Sequence, residues 1–223
     1  MKISRTAFDE LRRKGGLVIS LIGMSNTGKT HWARELHAAG FAHLSCDDVI
    51  EEKLGNELRD SGYHGISDVS RWMGQPFEKH YKERSARYLA LEEEALSGII
   101  EKLKSGWLAN AVVDTTGSFV HLPSSVCELL KAHSLVVYIA ATPELREELF
   151  QRYVARPKPV IFGDAYGKKE GETDMQSLER SYKDLLAERT KLYERYADVT
   201  VSYASLKEAH TPEAFISRIE EAL

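Results

Sequence analysis

The octapeptide Gly23-Met24-Ser25-Asn26-Thr27-Gly28-Lys29-Thr30 follows directly on the apolar run Leu17-Val18-Ile19-Ser20-Leu21-Ile22. It matches G-x-x-x-x-G-K-[ST] in the context that motif needs, after a strand and before a helix. The glycines let the backbone turn so that several N–H groups face one phosphate, and the helix N-terminus adds partial positive charge. Lys29 at this spacing reaches the β and γ phosphates of a nucleotide, and the Thr30 hydroxyl can coordinate Mg2+. The expected cofactor site is therefore the whole run from Gly23 through Met24, Ser25, Asn26, Thr27 and Gly28 to Lys29 and Thr30.

Phosphate chemistry needs further groups at the same place. Asp114 ends the run Ala111-Val112-Val113-Asp114 and precedes Thr115-Thr116-Gly117-Ser118, where its carboxylate could hold a metal's water or accept a proton from a hydroxyl. Asp47 and Asp48 are expected to close another strand in the same way, each of these aspartates having the alternative of a helix-capping or turn residue. Arg152 and Arg156 flank Tyr153-Val154-Ala155, and an arginine there could swing over the phosphates, the alternative being a solvated charge at a helix end. Arg71, Lys82, Arg84 and Arg87 read as a solvated helix face. The 8 histidines show no H-E-x-x-H spacing, His31 reads as a helix-surface residue, and no G-x-S-x-G elbow occurs. No Asn-Lys-x-Asp element favours guanine, which leaves adenine.

These side chains must be positioned by strands alternating with helices. Short β-rich runs at Leu17 to Ile22, Ala42 to Cys46, Ala111 to Asp114, Leu135 to Ala140 and Val199 to Val201 are separated by helical patterns. Helices are expected over Lys29 to Ala39, over a long stripe from Phe77 through Tyr81, Tyr88, Leu91, Ala95 and Ile99 to Leu103, and near Ser124 to His133, Pro143 to Arg152, Ser177 to Tyr196 and Pro212 to Ala222. Met1 to Gly16 reads as a short leading helix. Such alternation implies a mostly parallel sheet with helices on both faces and ligands at the carboxyl ends of its strands. Ala155 to Met175, with Pro157, Pro159 and three glycines, is a long irregular loop of the kind that forms lids. A chain of 223 residues suits one α/β domain, 1–223. Its 30 basic and 34 acidic residues, net -4, argue against a nucleic-acid surface. Cys46 and Cys127 form neither a zinc spacing nor a disulfide framework. No run approaches the roughly 20 apolar residues of a membrane span, and a cytoplasmic protein is expected, with no obligate protein partner.

The chain resembles the shikimate kinase family of small P-loop kinases, within the nucleoside-monophosphate-kinase-like group. The likeness rests on Gly23 to Thr30, on Leu44-Ser45-Cys46-Asp47 with Ile50-Glu51 and Gly55, on Ala155-Arg156-Pro157, and on Ala187-Glu188-Arg189-Thr190-Lys191-Leu192-Tyr193 through Asp198. It implies a three-layer P-loop NTPase fold with a five-stranded parallel sheet in order 2-3-1-4-5, an acceptor-binding region about 46–104, a mobile lid about 155–175, and ATP with Mg2+. It further implies that Asp47 meets the acceptor hydroxyl, Arg156 is the lid arginine, Arg152 lies beside adenine and Arg189 binds a substrate carboxylate, with Gly117 close to the substrate. Three departures touch the acceptor site. Thr115-Thr116-Gly117 stands where the family has three glycines, Tyr88-Leu89 where it has Phe-Arg, and Ser45 where it has the first carboxylate of Asp-x-Asp. Arg84 is spaced to replace the arginine missing at Leu89, Arg87 less easily. The expected function is shikimate kinase-like, ATP-dependent phosphoryl transfer to a hydroxyl of a small anionic metabolite, with shikimate itself a poor substrate or none. The alternative is an ATP-binding regulator or pseudokinase.

Overall fold

A computed structural model describes residues 3–64, 66–106, 109–156 and 158–223. Met1, Lys2 and Pro157 lie outside the described residues. Strands β1 (Val18–Ile22), β2 (Ala42–Ser45), β3 (Ala111–Asp114), β4 (Leu135–Ala140) and β5 (Val199–Ser202) form one sheet in the order β2-β3-β1-β4-β5. All pairs are parallel, with Leu21 opposite Asp114 and Ser45 opposite Asp114 across β3. This is the expected order. The helices are α1 (Arg5–Lys14), α2 (Lys29–Ala38), α3 (Cys46–Asp60), α4 (Ile66–Met73), α5 (Tyr81–Lys104), α6 (Ser124–His133), α7 (Pro143–Ala155), α8 (Asp174–Tyr196), α9 (Tyr203–Leu206) and α10 (Pro212–Ala222). None of the described helices is long and apolar enough to cross a membrane.

Alternation along the strands divides the core in two. On β3 and β4, Val112, Val137 and Ile139 face a cluster with Phe8 of α1, Trp32 and Leu36 of α2, and Phe215 and Ile219 of α10. Val113, Val136 and Tyr138 face a larger cluster built by α3 to α8. Successive strand residues point to opposite faces, so a parallel sheet buried on both sides reads as an unbroken apolar run. Trp32 stacks on Phe215 with ring centroids 4.6 Å apart, which ties the helix after the phosphate loop to the last helix. Each such fully buried side chain contributes about 1.5–3 kcal/mol.

Several boundaries differ from the sequence expectation, each for a local reason. β2 ends at Ser45, whose Oγ accepts from the Asp48 backbone N–H at 3.1 Å and caps α3. Asp47 and Asp48 therefore sit in the first turn of a helix and do not close the strand. The long helix starts at Tyr81 and excludes Phe77, because Gly74 adopts φ 80 and a turn closes from Glu78 N–H to Gln75 C=O at 2.8 Å. α8 begins at Asp174 rather than Ser177, since Thr173 and Gln176 cap each other's backbone reciprocally. α7 runs on to Ala155, which shortens the irregular segment to residues 158–173.

That segment is anchored at its centre. Val160, Ile161 and Phe162 are buried in the larger cluster. The Tyr81 hydroxyl donates to Val160 C=O and accepts from Phe162 N–H, both at 2.8 Å. Arg180 pairs with Glu172 at 2.8 Å. Lid-like movement must therefore break this anchorage or stay outside it. Tyr81→Phe removes the partners of two buried backbone groups, a loss of about 1–3 kcal/mol. Limited proteolysis should then cut residues 163–173 about tenfold faster or more, with α5 and the sheet still protected.

Candidate active site

The loop between β1 and α2 is a backbone cradle. Gly23 has φ 140, and a Cβ there would lie 2.7 Å from Ile139 C=O on β4. Gly28 turns into α2 at φ 92, and Asn26, at φ 66, is the one non-glycine residue with positive φ among the described residues. Asparagine tolerates that conformation better than most residues. The Thr27 hydroxyl donates to Met24 C=O at 2.8 Å, and the buried Lys29 ammonium donates to Gly23 C=O at 2.8 Å and Met24 C=O at 2.9 Å. Burial pulls the Lys29 pKa down, an effect opposed by the carboxylates of Asp114 and Asp47.

A cavity of about 360 Å3 opens over this loop at the carboxyl ends of the strands. Ser25, Asn26, Gly28, Lys29 and Thr30 line one side, and Asp47, Tyr88, Asp114, Thr115, Thr116 and Gly117 the other. The structure thus brings the phosphate loop, both carboxylates and Gly117 to one cleft. Asp114 is 4% exposed, interacts with the Thr30 side chain, and has its pKa raised by burial against the opposing pull of Lys29. Asp47 is half-buried and accepts from the Tyr88 hydroxyl at 3.4 Å. Its pKa is also raised, by burial first and by Asp114 second, while Lys29 and Lys158 act in the opposite sense. Added positive charge here would favour both ionised carboxylates. A cavity of similar size, about 370 Å3, lies among Arg12, Phe41, Asn110 and Pro212 at the amino ends of the strands. Ligands of open parallel sheets bind at the other end.

The donor set fits a divalent cation. Asp114 Oδ1 is buried without a hydrogen-bond partner, and the Thr30 hydroxyl stands beside the same carboxylate. Among the described residues no cluster of three or more His, Cys, Asp or Glu could hold a metal by itself. A hard cation at Asp114 and Thr30 would complete its shell with phosphate and water oxygens.

The arginines are placed less as expected. Arg156 and Arg152 line a separate cavity of about 490 Å3 with Asn26, Ala155 and Lys158, beside the phosphate loop. Arg152 pairs with Glu148 at 2.8 Å and interacts with the Tyr203 hydroxyl. Arg189 is 4% exposed and does not line the cleft. Its Nε donates to His121 Nε2 at 3.0 Å and its Nη2 to Ile161 C=O at 2.7 Å. Burial and the Arg189 charge lower the His121 pKa to about 4, which keeps the imidazole a neutral acceptor. Arg84 does not replace the arginine missing at Leu89. It donates to Trp72 C=O and lies 5.5 Å from the Trp72 ring centroid, holding α4 to α5. Arg87 pairs with Glu57 at 2.9 Å, and Leu89 packs against the core.

Sequence reasoning missed two side chains of consequence. Lys158 lines both the cleft and the adjoining cavity, and nothing but its place after Arg156 signals it. Glu92 is 1% exposed and accepts from Ser118 Oγ at 2.5 Å and from Thr116 Oγ1. It braces the loop after β3 from behind. Gly117, between those hydroxyls, gives its carbonyl to the Tyr193 hydroxyl at 2.5 Å, and a Cβ on it would stand 2.9 Å from Ser25 Oγ and 3.2 Å from Ser25 N. Glu92 carried a readable signal: it lies four residues from Tyr88 and from Leu96 on the apolar stripe of α5. Burial raises its carboxyl from 4.5 to about 7, against the two hydroxyl donors. A folded-state pKa above the unfolded one gives stability that is complete below about 4.5 and lost as pH rises through about 7. Glu92→Gln lacks this dependence. Denaturation at a series of pH values should show the variant gaining on the parent by about 3 kcal/mol between acid and mildly alkaline solution.

Shikimate kinases share this fold. That of Acinetobacter baumannii in complex with shikimate superposes with a TM-score of 0.57 at 23% identity, over 93% of this chain and 92% of that one. The shikimate kinase of Bacteroides thetaiotaomicron gives a TM-score of 0.57 at 16% identity, over 92% and 96%. That of Aquifex aeolicus gives 0.53 at 18% identity, over 92% and 95%. No curated protein matches the chain significantly. The family described as the AAA domain matches residues 18–180, from β1 into α8, and the chain belongs to that family.

Proposed function

We propose that this protein catalyses ATP-dependent phosphoryl transfer to a hydroxyl group of a small metabolite. The observation that carries the reading is the convergence of Lys29, Thr30, Asp114 and Asp47 on one cleft. The turned backbone of residues 23–28 and the N-terminus of α2 offer N–H groups to the phosphates, and Lys29 exchanges its two carbonyl partners for phosphate oxygens. Thr30 and Asp114 would hold Mg2+, which supplies charge neutralisation at the transferring group. Asp47, whose pKa burial raises, orients the acceptor hydroxyl and takes its proton as the new O–P bond forms and the bond from the γ-phosphorus to the bridging oxygen of ADP breaks, with ADP as the leaving group. Lys158, which lines both cavities, would stabilise charge on the transferring phosphoryl group, the part that the resemblance gives to Arg156. The adjoining cavity at Asn26 and Arg152 suits the adenosine end of the nucleotide. The acceptor-side wall of Asp47, Tyr88, Thr116 and Gly117 reads hydroxyls, and Arg84 and Arg87 are engaged elsewhere, which weighs against a clamp of two arginines on a carboxylate and against shikimate.

The test is ADP release from MgATP with a panel of sugars, polyols and hydroxy acids. One acceptor should stimulate release strongly. Shikimate should stay well below the ordinary enzymatic range of about 10⁴ M⁻¹s⁻¹ in kcat/KM. Nucleotide binding without release by any acceptor would favour the regulatory alternative. MgATP should raise the melting temperature of the parent protein. Lys29→Ala should lose most of that rise, since a hydrogen bond to a charged group contributes about 1.5–3 kcal/mol. An undiminished rise would sink the phosphate-loop assignment.

A further inference from the structure

Among the described residues, two buried side-chain polar atoms have no hydrogen-bond partner: His43 Nε2 and Asp114 Oδ1. Buried polar groups are nearly always satisfied, and an exception calls for a cause. These two belong to neighbouring side chains. His43 lies on β2 opposite Val112 of β3, and Asp114 follows two residues on, so both side chains project from the same face of the sheet. That is the face on which Val112 meets α2. His43 Nε2 stands 3.9 Å from Asp114 Oδ2, too far for a hydrogen bond. The ring lies 6.2 Å from that of His37, whose Nδ1 is already paired with Phe41 C=O at 2.9 Å. No described neighbour closes the gap.

Asp114 meets other groups on its remaining sides. It interacts with the Thr30 side chain and with the Lys29 charge, and it lines the cleft. The carboxylate thus offers one unpartnered oxygen at the cleft, with an unpartnered imidazole nitrogen close to the other oxygen. Carboxylates that ligate metals are themselves held by hydrogen bonds, and losing such an outer partner typically weakens metal binding by 10–100-fold. We propose that His43 is a positioning residue for a divalent cation bound at Asp114 and Thr30, its Nε2–H holding the carboxylate so that the opposite oxygen meets the cation. The proposal rests on the nucleotide-site reading above and adds a residue that does not line the cleft.

The test uses Mn2+ as the probe and needs no acceptor. Mn2+ bound to the full chain in the presence of ADP is titrated by electron paramagnetic resonance, and ADP affinity is measured separately in EDTA. His43→Ala should weaken Mn2+ binding about tenfold or more while changing ADP affinity in EDTA less than twofold. His43→Gln, which keeps volume and an N–H donor, should recover part of the loss and covers the case in which the alanine variant folds poorly. Mn2+ affinity within twofold of the parent in both variants would overturn the proposal. So would nitrogen modulation in the spin echo of bound Mn2+ that vanishes with His43, since that marks direct ligation. Absence of ADP binding by the parent would instead sink the nucleotide-site reading itself.

Discussion

The contact between Gly117 and Ser25 is the constraint on which the cleft depends. β1 is central, with β3 on one side and β4 on the other, so the loops leaving β1 and β3 emerge side by side. They can share that space only if one of them carries no side chain at the point of closest approach. A Cβ on Gly117 would stand 3.2 Å from the Ser25 nitrogen, and Gly23 meets the β4 backbone in the same way on the other side. The glycine of the β3 loop thus serves the phosphate loop before it serves any substrate.

What holds that glycine in place is polar and buried. Glu92 receives the hydroxyls of Thr116 and Ser118, Tyr193 donates to the Gly117 carbonyl, and the Thr115 hydroxyl donates to Leu21 C=O at 2.8 Å. Such a network fixes one geometry only if every member is satisfied. Threonine and serine side chains therefore do here what conformational freedom alone could not do: they attach the loop to α5 and β1. The cost appears in the raised pKa of Glu92.

The same low dielectric governs the reacting groups. Buried Asp114 and Lys29 and half-buried Asp47 share one cleft, and burial shifts all three toward their neutral forms. A phosphate and a divalent cation entering together would restore the charged forms of each. That coupling fits the proposed nucleotide and cation, whose charges have opposite signs. Lys158 and Pro159 line the cleft, and the residues that follow them are held in the core by Ile161 C=O accepting from Arg189 and by the Tyr81 hydroxyl pairing with Val160 C=O and Phe162 N–H.

The phosphate loop was legible in the sequence because its chemistry is local: turned backbone, lysine and threonine at fixed spacing after a strand. The strand order followed too, since apolar runs alternating with helical stripes leave a parallel sheet as the economical solution, and Asp114 was marked as a strand-end carboxylate. Asp47 was assigned to the cleft, but its place in the first turn of α3 depended on the Ser45 cap. The partners of arginines were not legible. A long cation can meet a substrate, a carbonyl or a ring, and only the packing of α4 on α5 sends Arg84 to Trp72 and only the buried strap sends Arg189 to Ile161. Glu92 and His43 show the same limit from the other side. Their types and strand or helix positions are written in the chain, but their meaning comes from groups that long-range folding brings beside them.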